Sequence, residues 1–335
     1  MAVRAAINGF GRIGRLVLRA ALESKRKDIE FVALNDLGTP EANARLFKHD
    51  SVHGPYPGKV QALKDSLKVD GRKILVLSER DPKNLPWDKL GIDVVLECTG
   101  LFTNKQSAGQ HLTAGAKRVL VSAPCKEADL TVVHGVNNNK LRKSHKVVSN
   151  ASCTTNCLAP VAQVLHQTVG IKHGFMTTIH AFTGDQRTVD TLHSDPRRAR
   201  SASMSIIPTS TGAARAVGLV LPELQGKLDG TAIRVPTPNV SLIDLTVEAS
   251  KKTTVETVNA AMAKAAKGRL KGVLEVSDEP LVSVDFNHSA ASSTLDLLET
   301  QVIDGNFVRV LSWYDNEWGF SNRMSDVAVA LGKLG

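Results

Sequence analysis

A short apolar run, Val3-Arg4-Ala5-Ala6-Ile7-Asn8, leads directly into Gly9-Phe10-Gly11-Arg12-Ile13-Gly14. The residues that follow place Ile13, Leu16, Val17 and Ala20 at helical spacing. A strand that feeds a helix through G-x-G-x-x-G leaves few folds open. The first glycine permits a tight turn and the second lets a pyrophosphate approach the backbone. The third lets helix and strand pack closely, and the helix N-terminus attracts the phosphates. A second strand, 29–34, ends at Asn35-Asp36, so Asp36 lies 22 residues beyond Gly14. That is close to the offset of a carboxylate that accepts ribose hydroxyls. An acid there repels a 2′-phosphate, and Leu37 beside it offers no hydrogen bond, so the pattern favours NAD over NADP.

The same half continues with 67–69 and 73–77 flanking Asp70-Gly71, a hairpin turn signal. The apolar runs 92–98 and 118–122 read as buried parallel strands, with Cys98 in the core. Residues at their carboxyl ends, Thr99-Gly100 and Ser122-Ala123, are expected to border the ligand cleft.

The chain has 335 residues, of which 42% are hydrophobic, enough to fill two domains of ordinary size. Its cysteines, Cys98, Cys125, Cys153 and Cys157, are few and irregularly spaced, which argues against a disulfide framework and for a reducing compartment. No second Cys or His pair stands at zinc spacing, and no metal is expected. Without an apparent signal peptide or an apolar run of bilayer length, the expected address is the cytoplasm, with no membrane partner. The formal charge of +9 is scattered apart from Arg197, Arg198 and Arg200, and aromatics are only 4%. Nucleic-acid binding is therefore at most secondary, and anionic small molecules account for the basicity.

The chemistry concentrates in the second half. Ser152-Cys153-Thr154-Thr155-Asn156 follows the strand 146–149 and opens a helix carrying Leu158, Val161, Ala162 and Leu165 at helical spacing. A thiol in the first turn meets unpaired N–H groups and the helix dipole, which favour thiolate. His180 stands near the end of the strand 172–182, where an imidazole on a neighbouring element can meet that thiol. The loop 183–204 carries Arg187, Arg197, Arg198 and Arg200 among Asp185, Asp190 and Asp195, and is long for a compact domain. Thr209-Ser210-Thr211-Gly212-Ala213-Ala214 reads as a hydroxyl-rich helix start able to receive an anion. Arg234, inside the apolar strand 231–235, calls for an anionic partner. Thr253-x-x-Glu256 reads as a capping box opening a helix through Lys267. The remaining strands look antiparallel, and 318–334 has helical spacing. The expected architecture is an α/β Rossmann dinucleotide-binding domain over 1–152, completed by a C-terminal helix over 318–335. An α+β catalytic domain with a mostly antiparallel sheet is expected over 153–317.

Nearly end to end, these residues resemble the phosphorylating glyceraldehyde-3-phosphate dehydrogenases of the bacterial, NAD-dependent type. The match is carried by Asn8 to Arg15, Ala151-Ser152-Cys153-Thr154-Thr155-Asn156-Cys157, Thr209 to Ala214, Arg234-Val235-Pro236-Thr237 and Trp313 to Gly319. The resemblance implies a Cys153 thiolate that attacks the aldehyde of glyceraldehyde 3-phosphate, with His180 as base, and a thioester resolved by inorganic phosphate. It also implies that Thr183 and Arg234, with Asp185 nearby, hold the substrate phosphate. Ser152, Thr154, Arg198, Thr211 and Gly212 would hold the attacking phosphate. NAD would meet Gly9, Gly11, Gly14, Arg12 and Ile13 at the pyrophosphate, Asp36 at the ribose, Arg80 and Ser122 along the cleft, and Asn316 at the nicotinamide amide. A homotetramer is implied, with the arginine-rich loop across a subunit interface. One departure stands out: Asp190 is followed by Thr191-Leu192, where NAD-preferring bacterial relatives often carry Leu-Pro. Two rivals remain at this point. One is erythrose-4-phosphate dehydrogenase, which shares the thiol motif; the other is a Cys/His hydrolase or acyl transferase, which needs no dinucleotide fingerprint.

Overall fold

Strand β1 (Val3–Asn8) is almost wholly enclosed, as its Ala5-Ala6-Ile7 run requires, and it ends in a glycine turn that starts α1 (Arg12–Glu23). The turn depends on two glycines. Gly9 has φ +89°, and Gly14 lies so close to the turn that a Cβ on it would come within 2.1 Å of the Gly9 carbonyl oxygen. A Cβ on Gly11, in contrast, would meet nothing within 4 Å. The computed structural model describes residues 1–334, which divide into two units. One comprises 1–152 together with the residues from Ser321 onward, and the other is 153–320.

In the first unit the chain continues through β2 (Ile29–Asn35), α2 (Pro40–Lys48), β3 (Val60–Leu63), β4 (Ser66–Val69) and β5 (Arg72–Leu77). It goes on through β6 (Val94–Glu97), α3 (Lys105–Ala108), α4 (Gln110–Thr113), β7 (Arg118–Val121), β8 (Leu130–Thr131) and β9 (Val147–Ser149). The nine strands form one sheet in the order β3-β4-β5-β2-β1-β6-β7-β9-β8. Pairing is parallel from β5 to β8, and only β3-β4-β5 is antiparallel. The β4–β5 hairpin turns at Asp70-Gly71, as the sequence predicts. Since β2 lies on one side of β1 and β6 on the other, the order reverses beside β1, and ligands bind at the strand ends of such a switch point.

The second unit opens with α5 (Cys153–Val169), followed by β10 (Ile171–Ala181), β11 (Ile207–Ser210), α6 (Ala213–Val220), β12 (Leu228–Val235) and β13 (Ser241–Ala249). Next come α7 (Val255–Lys267), β14 (Leu274–Ser277), β15 (Ser293–Ile303) and β16 (Phe307–Tyr314). The sheet order is β11-β12-β10-β13-β16-β15-β14. It is antiparallel except at β10–β12 and β14–β15. On β13 buried residues alternate with half-exposed ones, the signature of a sheet with one face covered, and α5 packs on that sheet. Helix α8 (Trp318–Gly332) closes the chain, and the Asp315 carboxylate caps its start by accepting from the backbone N–H groups of Glu317 and Trp318.

The expected capping box at Thr253 and Glu256 is not what forms. The helix begins one residue later, with Thr254 as N-cap accepting from the Thr257 backbone N–H at 3.3 Å. Glu256 therefore falls at the second helical position, where the reciprocal bond of a capping box is not made. No helix of the described residues is long and apolar enough to cross a membrane.

The two glycines make opposite predictions. Gly14→Ala forces backbone apart and should cost about 3 kcal/mol, lowering the thermal midpoint by several degrees. Gly11→Ala should leave that midpoint unchanged; differential scanning calorimetry of both variants checks the pair.

Candidate active site

Cys153 reaches the first position of α5 through a constrained turn. Ala151, almost fully buried, is held at φ +57°, and its N–H donates to Ser149 Oγ. A non-glycine residue in that region stores strain of order 1 kcal/mol or more. The turn places Cys153 Sγ 3.5 Å from His180 Nε2. His180 stands one residue before the end of β10. Its Nδ1 is 2.7 Å from the Ala181 carbonyl oxygen, so Nδ1 carries the proton and donates to it, leaving Nε2 as the acceptor that faces the thiol.

Parallel pairing of β10 with β12 sets Arg234 directly beside His180. Arg234 Nη1 donates to the same Ala181 carbonyl at 3.1 Å, which leaves it 3.2 Å from His180 Nδ1. The anionic partner expected for Arg234 is absent. No carboxylate pairs with it among the described residues, and its buried Nε has no partner at all. A half-buried guanidinium left in this state is equipped to receive an external anion.

Burial dominates the electrostatics. It raises the Cys153 thiol, against the pull of Arg234 and of hydrogen bonds from Thr154 and the helix-start N–H groups. It lowers the His180 imidazole to about 3, assisted by the Arg234 charge. The helix-start effect expected from the sequence is present, but desolvation outweighs it. Cys157, one turn along α5 and fully enclosed, is pushed up to about 12 and is packing. Cys153 keeps some exposure. Its neighbour Thr154 shares a buried hydrogen-bond chain: Tyr314 Oη lies 2.8 Å from Thr154 Oγ1 and 2.9 Å from Thr178 Oγ1, and the Tyr314 ring stands edge-on to His180. Tyr314 and Thr178 went unrecognised as site residues in the sequence. The signal was there, because Thr178 lies two residues before His180 on one face of β10.

The basic loop forms ion pairs of its own. Asp185 binds Arg198 Nη1 at 2.7 Å, so it orients that arginine. Arg198 Nε also donates to Thr209 Oγ1 at 3.1 Å, while Arg200 pairs with Asp190. Thr211 borders a cavity of about 470 Å³ with Arg197, Arg215 and Thr209. Neither Arg198 nor Gly212 lines that cavity, and Thr183 offers only its carbonyl, to the Gln186 N–H.

In the first unit, Gly9, Gly11, Asp36 and Arg80 come together around a cleft of about 420 Å³ at the switch point. Asp36 is tied to the glycine turn, accepting from the Phe10 N–H at 2.8 Å and the Gly38 N–H at 3.0 Å. The open space at Gly11 and the adjacent carboxylate fit a dinucleotide. Arg12 pairs with Asp50 at 2.6 Å, and Ser122 and Ile13 lie outside the cleft wall. In the second unit Asn316 Oδ1 accepts from Ser241 Oγ at 2.9 Å, whose oxygen in turn accepts the Ala181 N–H.

A glycine turn with a ribose-type carboxylate at a parallel-sheet switch point, in a chain that also sets a thiol beside an imidazole, defines an NAD-dependent dehydrogenase. Residues 3–105 match the glyceraldehyde 3-phosphate dehydrogenase NAD binding domain, and residues 152–316 match the C-terminal domain of that family. Over 335 residues, all of both chains, the sequence is 64% identical to the glyceraldehyde-3-phosphate dehydrogenase of Xanthobacter flavus. It is 62% identical to that of Cereibacter sphaeroides over 334 residues and 57% identical to that of Geobacillus stearothermophilus over 336, again covering both chains in full. The chain belongs to the glyceraldehyde-3-phosphate dehydrogenase family.

If His180 takes the thiol proton, losing it must expose the raised thiol. In His180→Asn the proton leaves to water, so alkylation by iodoacetamide at neutral pH should slow at least about tenfold. Its alkaline inflection should stand above the ordinary thiol value, as the raised Cys153 requires. A pH series of inactivation rates checks both.

Proposed function

We propose that the protein oxidises D-glyceraldehyde 3-phosphate to 1,3-bisphosphoglycerate, with inorganic phosphate as co-substrate and NAD as oxidant, in glycolysis and gluconeogenesis. The observation that carries the reading is Cys153 Sγ at 3.5 Å from His180 Nε2, with Arg234, paired with no described carboxylate, on the adjoining strand.

The thiol proton passes to His180 Nε2 as Cys153 Sγ bonds to the aldehyde carbon, giving a hemithioacetal. Helix-start N–H groups and the His180 imidazolium stabilise the oxyanion, and Nε2 then returns its proton to that oxygen, leaving a hydroxyl and a neutral imidazole. His180 then takes the hydroxyl proton while hydride leaves the same carbon, and a thioester remains. NAD, when bound, supplies the hydride acceptor. Phosphate oxygen attacks the thioester carbon, the acyl phosphate departs, and the sulfur regains its proton. Arg234 and Thr183 serve the substrate phosphate. Ser152, Thr154, Arg198, Thr211 and Gly212 serve the attacking phosphate, with Asp185 holding Arg198 in place. Asp36 serves the ribose; Gly9, Gly11, Gly14, Arg12 and Ile13 serve the pyrophosphate. Arg80 and Ser122 lie along the dinucleotide, and Asn316 serves the nicotinamide amide.

Full-length relatives named for the triose phosphate weigh against the erythrose phosphate reading, and an NAD binding domain weighs against a hydrolase. The working form is a homotetramer in the cytoplasm. Support comes from strongly exposed apolar side chains on and beside the basic loop, Leu192 at 91% and Met204 at 83%, and from four free cysteines, which suit a reducing compartment.

The deciding assay is NADH formation from glyceraldehyde 3-phosphate and NAD with and without inorganic phosphate. Sustained turnover should require phosphate; equal turnover without it would sink the phosphorolysis step. Cys153→Ser should abolish oxidation with the fold kept. Arg234→Leu should raise KM for the aldehyde about tenfold to hundredfold, the worth of a lost charged hydrogen bond. Asp36→Ala should narrow the preference for NAD over NADP, measured as a ratio of kcat/KM values.

A further inference from the structure

The reaction as derived leaves a buried carboxylate at the edge of the cleft without a role. Glu97, the last residue of β6, is 1% exposed. Its Oε2 accepts from Asn8 Nδ2 at 2.6 Å and faces His111 Nε2 at 3.0 Å. Its Oε1 accepts from the Thr99 backbone N–H at 2.8 Å and from the Thr99 hydroxyl. Behind His111 stands Trp87, whose indole N–H points at His111 Nδ1 from 3.0 Å. Both side chains are fully enclosed. An indole nitrogen only donates, so Nδ1 is the acceptor and the imidazole proton sits on Nε2, directed at the carboxylate.

On its other side the network runs to the cleft. Asn8 Oδ1 accepts from Asn35 Nδ2 at 2.7 Å, and Asn35 Oδ1 accepts from the Glu79 N–H at 2.8 Å. The ends of three adjacent parallel strands, β2, β1 and β6, are thus tied together side chain to side chain. Asn8, Asn35, Glu79 and Thr99 all line the dinucleotide cleft. Phe102 lines it too, with its ring edge-on to His111. Thr99 is also the surface against which the glycine turn rests, since a Cβ on Gly9 would come within 2.7 Å of the Thr99 nitrogen.

We propose that Glu97 is the positioning residue of the NAD cleft. Through Asn8 and Thr99 it fixes the cleft wall on which the glycine turn rests, while His111 and Trp87 hold the carboxylate from behind. A buried carboxylate is tolerated only when fully hydrogen-bonded, and this one is met solely by donors whose direction is locked. Asn8 is locked by Asn35, His111 by Trp87, and Thr99 by its own backbone N–H. An amide in place of the carboxylate must therefore turn its NH2 against a donor, whichever way it is rotated. The inference rests on the reading of this cleft as the NAD site.

Titration of NAD into the intact, nucleotide-free protein, with steady-state kinetics alongside, separates the possibilities. Glu97→Gln should weaken NAD binding about tenfold or more and raise KM for NAD in step. Its kcat should fall by less than about threefold, because no member of the network belongs to the thiol centre. Adding Trp87→Phe to Glu97→Gln should recover part of the lost affinity, since His111, no longer held by the indole, takes the other tautomer and accepts from the new amide. A merely structural Glu97 predicts no such recovery. Parental NAD affinity in folded Glu97→Gln, an equal fall in kcat, or a double variant no tighter than Glu97→Gln would each overturn the proposal. Should Glu97→Gln not fold, Trp87→Phe alone decides, with parental affinity overturning the proposal and weakened affinity at preserved kcat supporting it. Failure of the parental protein itself to bind NAD would remove the cleft reading, not the role of Glu97 within it.

Discussion

Desolvation around Cys153 and His180 sets the terms for the rest of the catalytic unit. Excluding water disfavours charge on either group alone, so each stays neutral until a reactant arrives and the proton shifts between them. Arg234 acts on the two in opposite senses. Its charge favours the thiolate and opposes the imidazolium, because parallel pairing of β10 with β12 places it beside both. An anion bound to its guanidinium would remove that opposition while leaving the helix-start N–H groups directed at the sulfur. The strained turn at Ala151 and the Tyr314 hydroxyl bridge between Thr154 and Thr178 are the means by which the backbone holds this geometry.

Much of this was legible in the chain. The strand, glycine turn, helix and acid of the first half have a fixed spacing because a pyrophosphate has a fixed size, and the structure places Gly9, Gly11 and Asp36 on one cleft. The thiol at the start of α5 was readable from the change of period at Cys153. Other features escaped for physical reasons. Arg234 was read as calling for an anionic partner, and the rule that buried charges pair does not say whether that partner is a side chain; no described carboxylate pairs with it. The cap at Thr254 was misplaced by one residue, since two adjacent threonines present the same signal. Tyr314 meets Thr154 and Thr178 across 160 and 136 positions of sequence, which no local pattern reports.

The first unit solves a different problem with similar economy. A dinucleotide cleft needs polar walls, but walls at strand ends border a core that tolerates no stray polar atom. The side-chain chain Asn35–Asn8–Glu97–His111–Trp87 converts that border into a continuous run of matched donors and acceptors. Asp36, fixed by the Phe10 N–H, extends the same ordering to the rim. The result is a cleft whose wall is settled before any ligand enters, so little conformational entropy remains to be lost on binding.

The pairing of β10 with β12 also bears on when the protein becomes reactive. His180 and Arg234 are brought together by a parallel register that spans 54 positions, including the whole basic loop and α6. Parallel contacts of such separation form late, after the loop-closure entropy has been overcome. A nascent or partly unfolded chain therefore has no guanidinium beside His180, and the arginine–imidazole pair exists only once the long-range sheet is complete.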